Sequence, residues 1–310
     1  MNKKWVVVGT GLTLGSALFV TSAFAGIGDA AGYDAYKAAI KQTASISNVT
    51  KNVHVSVQDN GTKLLDVTST IKSDSSFKNV SADVAVKAGD ASNTAAFYKQ
   101  DSKGVVKPGD SDVYGVIDMS GHDWHHGKDG GNNGNETWDD STFAKERENV
   151  IDALVGGLKD QVTLTPQADG TKQIDLQLNG SQIPAVANAI SSLVIKGAVN
   201  GHHPGKAGDM QQNPFADELK QFTGSLPKLS QDIQIKQVSL HAAVDAQNRI
   251  TGQTLKVTVT GKDDKGAAHE VVIDAAADLS GFDATTPEQV DLTGKQVQNI
   301  EKTFGPHKGR

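Results

Sequence analysis

Polar and apolar residues alternate along the last third of the chain, and this alternation restricts the fold more than any other feature. In the stretch "LKVTVT", the apolar residues Leu255, Val257 and Val259 are separated by polar ones. A period of two places successive side chains on opposite faces of a strand, so each strand has one apolar and one polar face. Polar turns at 246–248 and 262–266 divide residues 233–282 into three such strands. The pattern predicts an antiparallel meander with one buried face.

Earlier parts of the chain carry the same signals. Residues 52–72 alternate on both sides of Asp59-Asn60-Gly61, which is a strong hairpin turn. A second hairpin is predicted over 161–178, around Ala168-Asp169-Gly170. Shorter strands are expected over 77–87, 93–100 and 112–119. Most of the regular structure is therefore predicted to be sheet.

Four segments have helical periodicity instead. Apolar residues recur at helical spacing over 33–42, 142–159, 184–195 and 214–222. The last two begin with Pro184 and Pro214, and proline is favoured in a first helical turn. Helices set between meandering strands indicate an α+β fold, with the helices gathered on one face of the antiparallel sheet.

The N-terminus has the three parts of a secretory signal peptide. Lys3 and Lys4 precede an apolar run from Trp5 to about Val20, and Ala23-Phe24-Ala25 is a small-x-small cleavage site. Cleavage after Ala25 is expected, with an uncleaved N-terminal anchor as the alternative. The sequence thus predicts export to the cell envelope or the exterior, with no membrane span left after cleavage.

Composition removes several classes of function. The chain has no cysteine, which excludes disulfides, thiolate metal sites, a cysteine nucleophile and a lipidated N-terminal cysteine. A net charge of −6 disfavours nucleic acid as a partner. The common motifs of hydrolases, zinc proteases and nucleotide-binding enzymes are absent from the sequence, so a non-enzymatic protein is predicted.

The order of these segments resembles the LolA-like and LppX-like superfamily of bacterial extracytoplasmic lipoprotein and lipid carriers. The resemblance rests on "YDAYKAAIKQTASISNVTKNVHVSV", on "FAKERENVIDALVGGLKDQVTLTPQADGTKQIDLQL", and on "VSLHAAVDAQNRITGQTLKVTVTG" followed by "EVVIDAAADLSGFDATTP". It covers residues 33–292 as a single domain, after a linker at 26–32 and before a tail at 293–310. Unlike the lipoprotein members, this chain lacks the lipobox cysteine.

The resemblance implies a strongly curved antiparallel sheet that forms an incomplete barrel, with helices packed on its concave, open face. It also implies an apolar cavity between sheet and helices that holds acyl chains. Predicted lining residues come from the helical stripes, which are otherwise simply core against the sheet. They are Phe143, Ile151, Leu154, Leu158, Val186, Ile190 and Val194.

Histidines cluster in two glycine-rich segments that the resemblance does not explain. His122, His125 and His126 lie in a Gly/His/Asn-rich loop at 120–138, and His202 and His203 lie in "NGHHPGKAG". Together they could offer imidazole ligands to zinc, nickel or copper. Adjacent histidines in a glycine-rich loop are poorly preorganised, so a solvated loop with weak adventitious affinity is favoured over a physiological metal site, and no cofactor is predicted.

These observations predict an exported binding protein that holds a hydrophobic or amphiphilic ligand, such as a lipid or lipopeptide. Two alternatives stay open. In one, the core is filled by the protein's own side chains, and the chain is an envelope structural or interaction module with a protein partner. In the other, the two histidine loops form a metal-binding protein.

Overall fold

A computed structural model describes residues 31–109, 111–119, 158–183 and 226–300 of the chain. Strands account for 59% of these residues, so the described fold is mainly sheet. The helix α1 spans Ala31–Ala44, and two 3₁₀ turns span Lys159–Gln161 and Gly180–Gln182. The strands are β1 (Val49–Asp59), β2 (Thr62–Ser73), β3 (Asn79–Ala88), β4 (Ala91–Gln100), β5 (Lys103–Pro108), β6 (Val113–Asp118), β7 (Val162–Pro166), β8 (Lys172–Asn179), β9 (Gln231–Val244), β10 (Ile250–Lys262), β11 (Ala268–Ser280) and β12 (Gln296–Asn299).

All twelve strands belong to one curved sheet with the order β12-β6-β5-β4-β3-β2-β1-β11-β10-β9-β8-β7. Strands β1–β6 form one meander and β7–β11 form a second. Ten residue pairs between β1 and β11 join the two meanders. Every pairing is antiparallel except that of β12 with β6, which is parallel. The predicted antiparallel sheet is confirmed, and it is not closed, because β12 and β7 remain as its two edges.

Tight turns at the predicted positions hold the meanders together. Asn60 and Gly61 have φ of 49° and 81°, the left-handed pair that a two-residue hairpin requires. Asn248, at the β9–β10 turn, and Gly266, at the β10–β11 turn, also have positive φ. Asparagine and glycine adopt this conformation at the lowest cost. The turn sequences therefore fix which strands become neighbours.

The core follows one face of the sheet as a row of cross-strand neighbours. Its members on β8 and β9, Ile174 and Ala242, are fully buried. In register with them, the row continues across β10, β11 and β1–β4 through Gln253, Ala277, Val53, Ser69, Val84 and Ala95. Each of these residues is buried. The two meanders thus share a single continuous core surface, which we call the apolar face.

Helix α1 packs on the apolar face and is longer than predicted, since it extends beyond the expected 33–42 at both ends. Its Ala39 and Ile40 pack against Ile174 and Ala242. At its C-terminal end, Thr43 Oγ1 accepts a hydrogen bond from the buried backbone N–H of Ile250 at 2.8 Å. The helix is therefore fixed to the β8–β10 part of the sheet by both apolar packing and a hydrogen bond.

Some predictions differ from the structure or lie beyond it. The strand β5 was not predicted, because "KGVVKP" is short, does not alternate, and contains Gly104 and Pro108. The segment 293–310, predicted as a tail, contains β12. The predicted helices at 184–195 and 214–222, and residues 142–157 of the predicted helix 142–159, lie outside the described residues. Of the helices expected on one face of the sheet, the structure describes α1.

Candidate functional site

Half-exposed aliphatic side chains lie side by side on the apolar face. Leu176, Leu240 and Leu255 are cross-strand neighbours on β8, β9 and β10. The next row contains Val238, Val257 and Ile273, on β9, β10 and β11. All except Ile273 are partly buried, and Ile273 is 37% exposed. We call these six residues the aliphatic strip, and it presents apolar surface that the described fold leaves partly uncovered.

Helix α1 borders the strip on one side. Its Ala39 and Ile40 cover the row formed by Ile174 and Ala242, which is adjacent to the row of the three leucines. The Tyr36 hydroxyl donates a hydrogen bond to Gln253 Oε1 at 2.9 Å. Burial raises the pKa of Tyr36 to about 12, although the hydrogen bond to Gln253 opposes this rise. The phenol thus stays neutral and anchors the helix beside the strip.

A separate apolar cluster borders the strip on the other side. Leu229, just before β9, and Ile233, near the start of β9, pack with Val57, Val259 and Val271. These five side chains are buried. The strip therefore lies between two well-packed regions and is bounded in the direction of the strands.

A lysine also stands on the apolar face, on the β1–β3 side of the sheet. Lys51 is the cross-strand neighbour of Leu279 on β11 and of Ile71 on β2. Burial lowers the pKa of the Lys51 ammonium. The apolar face thus includes a primary amine in mainly aliphatic surroundings.

The opposite face of the sheet has a groove of about 820 Å3. Asn52, Thr70 and Asp83 form one row of cross-strand neighbours in its floor. The row continues to Asp278 on β11 at one end and, through Ala96, to Lys107 on β5 at the other. A second row parallel to the first consists of His54, Thr68, Ala85 and Thr94. The floor of this polar groove is therefore built from seven neighbouring strands, β11 and β1–β6, and most of its side chains can form hydrogen bonds.

The connection between β11 and β12 crosses this second face next to the groove. The backbone N–H of Glu288 donates to Ser81 Oγ at 3.0 Å, and that of Val290 donates to Gln100 Oε1 at 3.1 Å. The Glu288 carboxylate also pairs with Lys72 Nζ at 2.6 Å. These contacts hold the connection against β2, β3 and β4, so the groove has a fixed border on this side.

Two titratable groups in the polar groove have shifted pKa values. Although the Asp83 side chain is exposed, partial desolvation, and then the nearby Glu288 carboxylate, raise its pKa, while Lys72 opposes the shift. Burial and the carboxylates of Asp83 and Glu288 raise the pKa of Tyr98. Both shifts favour the protonated forms, so these groups can donate as well as accept hydrogen bonds over a wider pH range.

The described histidines form separate pairs with carboxylates. His241 Nδ1 donates to Asp175 Oδ1 at 2.7 Å. His269 Nδ1 donates to Asp59 Oδ2 at 2.7 Å. Within the described residues, no three histidine or acidic side chains are grouped so as to hold a metal ion.

Most of the predicted site residues lie outside the described residues. They are Phe143, Ile151, Leu154, Val186, Ile190 and Val194 for the apolar lining, and His122, His125, His126, His202 and His203 for a metal. The structure describes Leu158, which is half-buried at the turn leading into the first 3₁₀ turn. Each of these predictions remains an expectation.

The sequence did contain the signal for the aliphatic strip. Val238 and Leu240 alternate with polar residues on β9, as Leu255 and Val257 do on β10. Alternation shows only which residues share a face, and register decides which become neighbours. The side chains that alternate with them form the opposite face. Asp83 and Tyr98 lie on that face in the first meander, and they were not recognised as site residues because alternation does not reveal cross-strand neighbours.

The chain matches no protein-family model and no curated protein. Among solved structures it has weak similarity to a dehydratase structure from the borrelidin and fluvirucin polyketide synthases, with 7% identity, a TM-score of 0.13, and coverage of 84% of this chain and 81% of that one. The dehydratase domain of PpsC from Mycobacterium tuberculosis, in complex with C12:1-CoA, is 11% identical with a TM-score of 0.11, and the match covers 81% of this chain and 84% of that one. At these TM-scores the likeness does not indicate a shared fold.

Among the described residues, no helix has both the length and the apolar character needed to cross a membrane.

Proposed function

We propose that this chain is an exported, non-enzymatic binding protein that holds a hydrophobic or amphiphilic ligand, such as a lipid or lipopeptide, on the aliphatic strip. The observation that carries the proposal is the partial exposure of six neighbouring aliphatic side chains on the face that also forms the core. The signal-like N-terminus and the resemblance to the LolA-like carriers support the same function and an envelope or extracellular location.

Burial of the strip supplies the binding energy in this proposal. Covering apolar surface stabilises a complex by about 25 cal/mol per Å2. An isolated exposed apolar residue is ordinary, but a contiguous group of them marks a binding surface. The strip has no charged member and is bordered by packed clusters, so an acyl chain lying across β8–β11 would contact aliphatic side chains on four neighbouring strands.

In the proposed complex, the curved sheet has the apolar face on its inside. The strip then lies within the concavity, where a ligand can be covered from several directions. Helix α1 then forms one wall, since its Tyr36 and Ile40 already contact the apolar face. The LolA-like resemblance implies a cavity of this kind between sheet and helices.

Ligand extraction and thermal unfolding test the proposal. Purified protein is analysed by native mass spectrometry and its organic extract is examined for lipids, and palmitate is then added to delipidated protein. We expect a retained lipid and a palmitate-dependent rise in melting temperature, because a ligand that binds only the folded state stabilises it by about 2.7 kcal/mol at one hundred times its Kd.

An Ile273→Gln variant locates the site. Ile273 is already 37% exposed, so the variant is expected to fold while placing an amide within the strip. The matched control is Val297→Gln on β12, because Val297 is 45% exposed and far from the strip in the strand order. The palmitate response should be weakened in the first variant and kept in the second. Absence of both retained lipid and a palmitate response in the wild type would remove the proposal.

A further inference from the structure

The polar groove on the opposite face is long enough for an extended ligand. Its first row runs from Asp278 on β11 to Lys107 on β5, across six adjacent strands. With neighbouring strands about 4.8 Å apart, this row is roughly 24 Å long. Such a length suits a short polymer lying across the strands better than a compact metabolite.

The chemistry of the groove suits a ligand rich in hydroxyl groups. Asn52, Thr68, Thr70 and Thr94 offer amide and hydroxyl groups that both donate and accept. Thr70 Oγ1 donates to Asn52 Oδ1 at 2.8 Å, which orients the Asn52 amide nitrogen as a remaining donor. The exposed Asp83 carboxylate has no hydrogen bond to another described residue. Donors and acceptors are therefore interleaved along the groove.

Two tyrosines line the groove at its β4–β6 end, and the accessible aromatic surface comes mainly from Tyr98. Tyr98 is half-buried and Tyr114 is 9% exposed, and both belong to the groove lining. A tyrosine combines an apolar ring with a polar hydroxyl, so it can contact a ligand that has both C–H faces and polar groups. A sugar ring has this combination, whereas an acyl chain lacks the polar groups and an inorganic ion lacks the apolar faces.

Charge in the groove argues against other ligands. Asp83 and Asp278 are partly balanced by Lys107, so the lining has no strong excess of either sign. A phosphate or nucleic-acid site would require a cationic cluster. The described residues also contain no group of side chains that could hold a metal ion. A neutral polar ligand fits this balance.

From these features we propose that the polar groove binds a neutral oligosaccharide, with Asp83 and Asn52 hydrogen-bonding its hydroxyls and Tyr98 contacting a sugar ring. The proposal uses the face opposite the aliphatic strip, so it stands independently of hydrophobic ligand binding. A chain with both sites would contact a glycan on one face and a lipid-like ligand on the other.

Calorimetric and NMR titrations of the full chain with cellohexaose, maltohexaose and chitohexaose test the proposal. We expect saturable binding of at least one hexasaccharide with a Kd of about 1 mM or lower. Asp83→Asn should weaken that binding about tenfold or more, because hydrogen bonds to a charged group are stronger than those to a neutral amide. Tyr98→Ala should also weaken it by removing the ring.

Lys87→Ala is the matched control, since Lys87 is an exposed residue on the same face of β3 as Asp83 but outside the groove lining. Its affinity should equal that of the wild type. The Asp83→Asn variant must keep the wild-type melting temperature, and Ile273→Gln should bind the sugar normally whatever its response to palmitate. The proposal is overturned if none of the three hexasaccharides binds, or if Asp83→Asn and Tyr98→Ala bind as well as the wild type.

Discussion

At the scale of single residues, Tyr36 shows how a sequence pattern can place a side chain without revealing its partner. Helical spacing correctly places Tyr36 on one stripe with Tyr33 and Ile40, and the latter two are buried. The hydrogen bond from the Tyr36 hydroxyl to Gln253, however, joins residues 217 positions apart in the chain. Such a contact depends on the register of β10 against the helix, which local periodicity does not contain.

The raised pKa of Tyr36 predicts a loss of stability in alkaline solution. The phenol ionises near pH 10 in the unfolded chain and near pH 12 in the folded protein, so between these values the unfolded state releases its proton first. The free energy of unfolding should therefore fall by roughly 3 kcal/mol as pH rises through this window. Urea unfolding at several pH values should show a smaller fall for Tyr36→Phe.

The same variant should lose about 1 kcal/mol at neutral pH, because the hydrogen bond to Gln253 is removed. Lysines also titrate in alkaline solution, and the difference between wild type and variant removes their shared contribution. Parallel stability curves from pH 9 to 12 would show that Tyr36 is not buried as described.

At the scale of elements, α1 lies unusually close to β7. Gly32 is buried where the helix meets the sheet edge, and a Cβ at this position would clash with the backbone carbonyl of Val162, with the carbonyl carbon at 2.8 Å. Tyr33 follows Gly32 in the helix, and Lys159 Nζ lies 5.4 Å from the centroid of its ring. The first turn of α1 and the chain entering β7 therefore fit together only because residue 32 has no side chain.

Replacing Gly32 by alanine should destabilise the protein. Alanine favours a helix over glycine by about 1 kcal/mol, but the clash with rigid backbone should cost about 1–3 kcal/mol more than this gain. Chemical unfolding measures the net change. Gly252→Ala on β10 is the control, because the nearest atom to its added Cβ is Asp278 Oδ1 at 3.4 Å. A Gly32→Ala variant more stable than the wild type would contradict the close approach.

The same scale shows what the sequence could predict about the fold. Strands joined by turns such as Asn60-Gly61 were predicted correctly, because the turn residues adopt positive φ and the alternation continues on both sides. Strand β12 was not predicted, because its pairing with β6 is parallel and joins segments that are distant in sequence. The aliphatic strip and the polar groove likewise depend on register across several strands, which alternation within each strand does not determine.

At the scale of the whole molecule, the two meanders share one core. The buried row runs through Ile174 in the second meander and through Val53 and Val84 in the first, without an exposed member at the β1–β11 junction. Ala277 on β11 is 1% exposed and stands directly beside Val53. The core row is thus as well buried at the junction as within either meander.

A shared core predicts that both meanders unfold together. Val84→Ala on β3 should cost about 2 kcal/mol and Ile174→Val on β8 about 1 kcal/mol. Each should lower the opening free energy of backbone amides in both meanders by the same amount, as measured by native-state hydrogen exchange on β4 and β9. If Val84→Ala affects only β1–β6, the two meanders are separate cooperative units.

The β1–β11 ladder also determines when the sheet can be completed during synthesis of the chain. Thr50 pairs with Ser280, so the central ladder of the sheet joins segments that are far apart in the sequence. At a synthesis rate of about 5–20 residues per second, β1 waits roughly 10 to 50 seconds on the ribosome before β11 exists. The first meander is without its central neighbour throughout this interval. Completion of the central ladder is therefore postponed until β11 has been synthesised, and during this interval the backbone groups of β1 that later pair with β11 stay available to other binding partners.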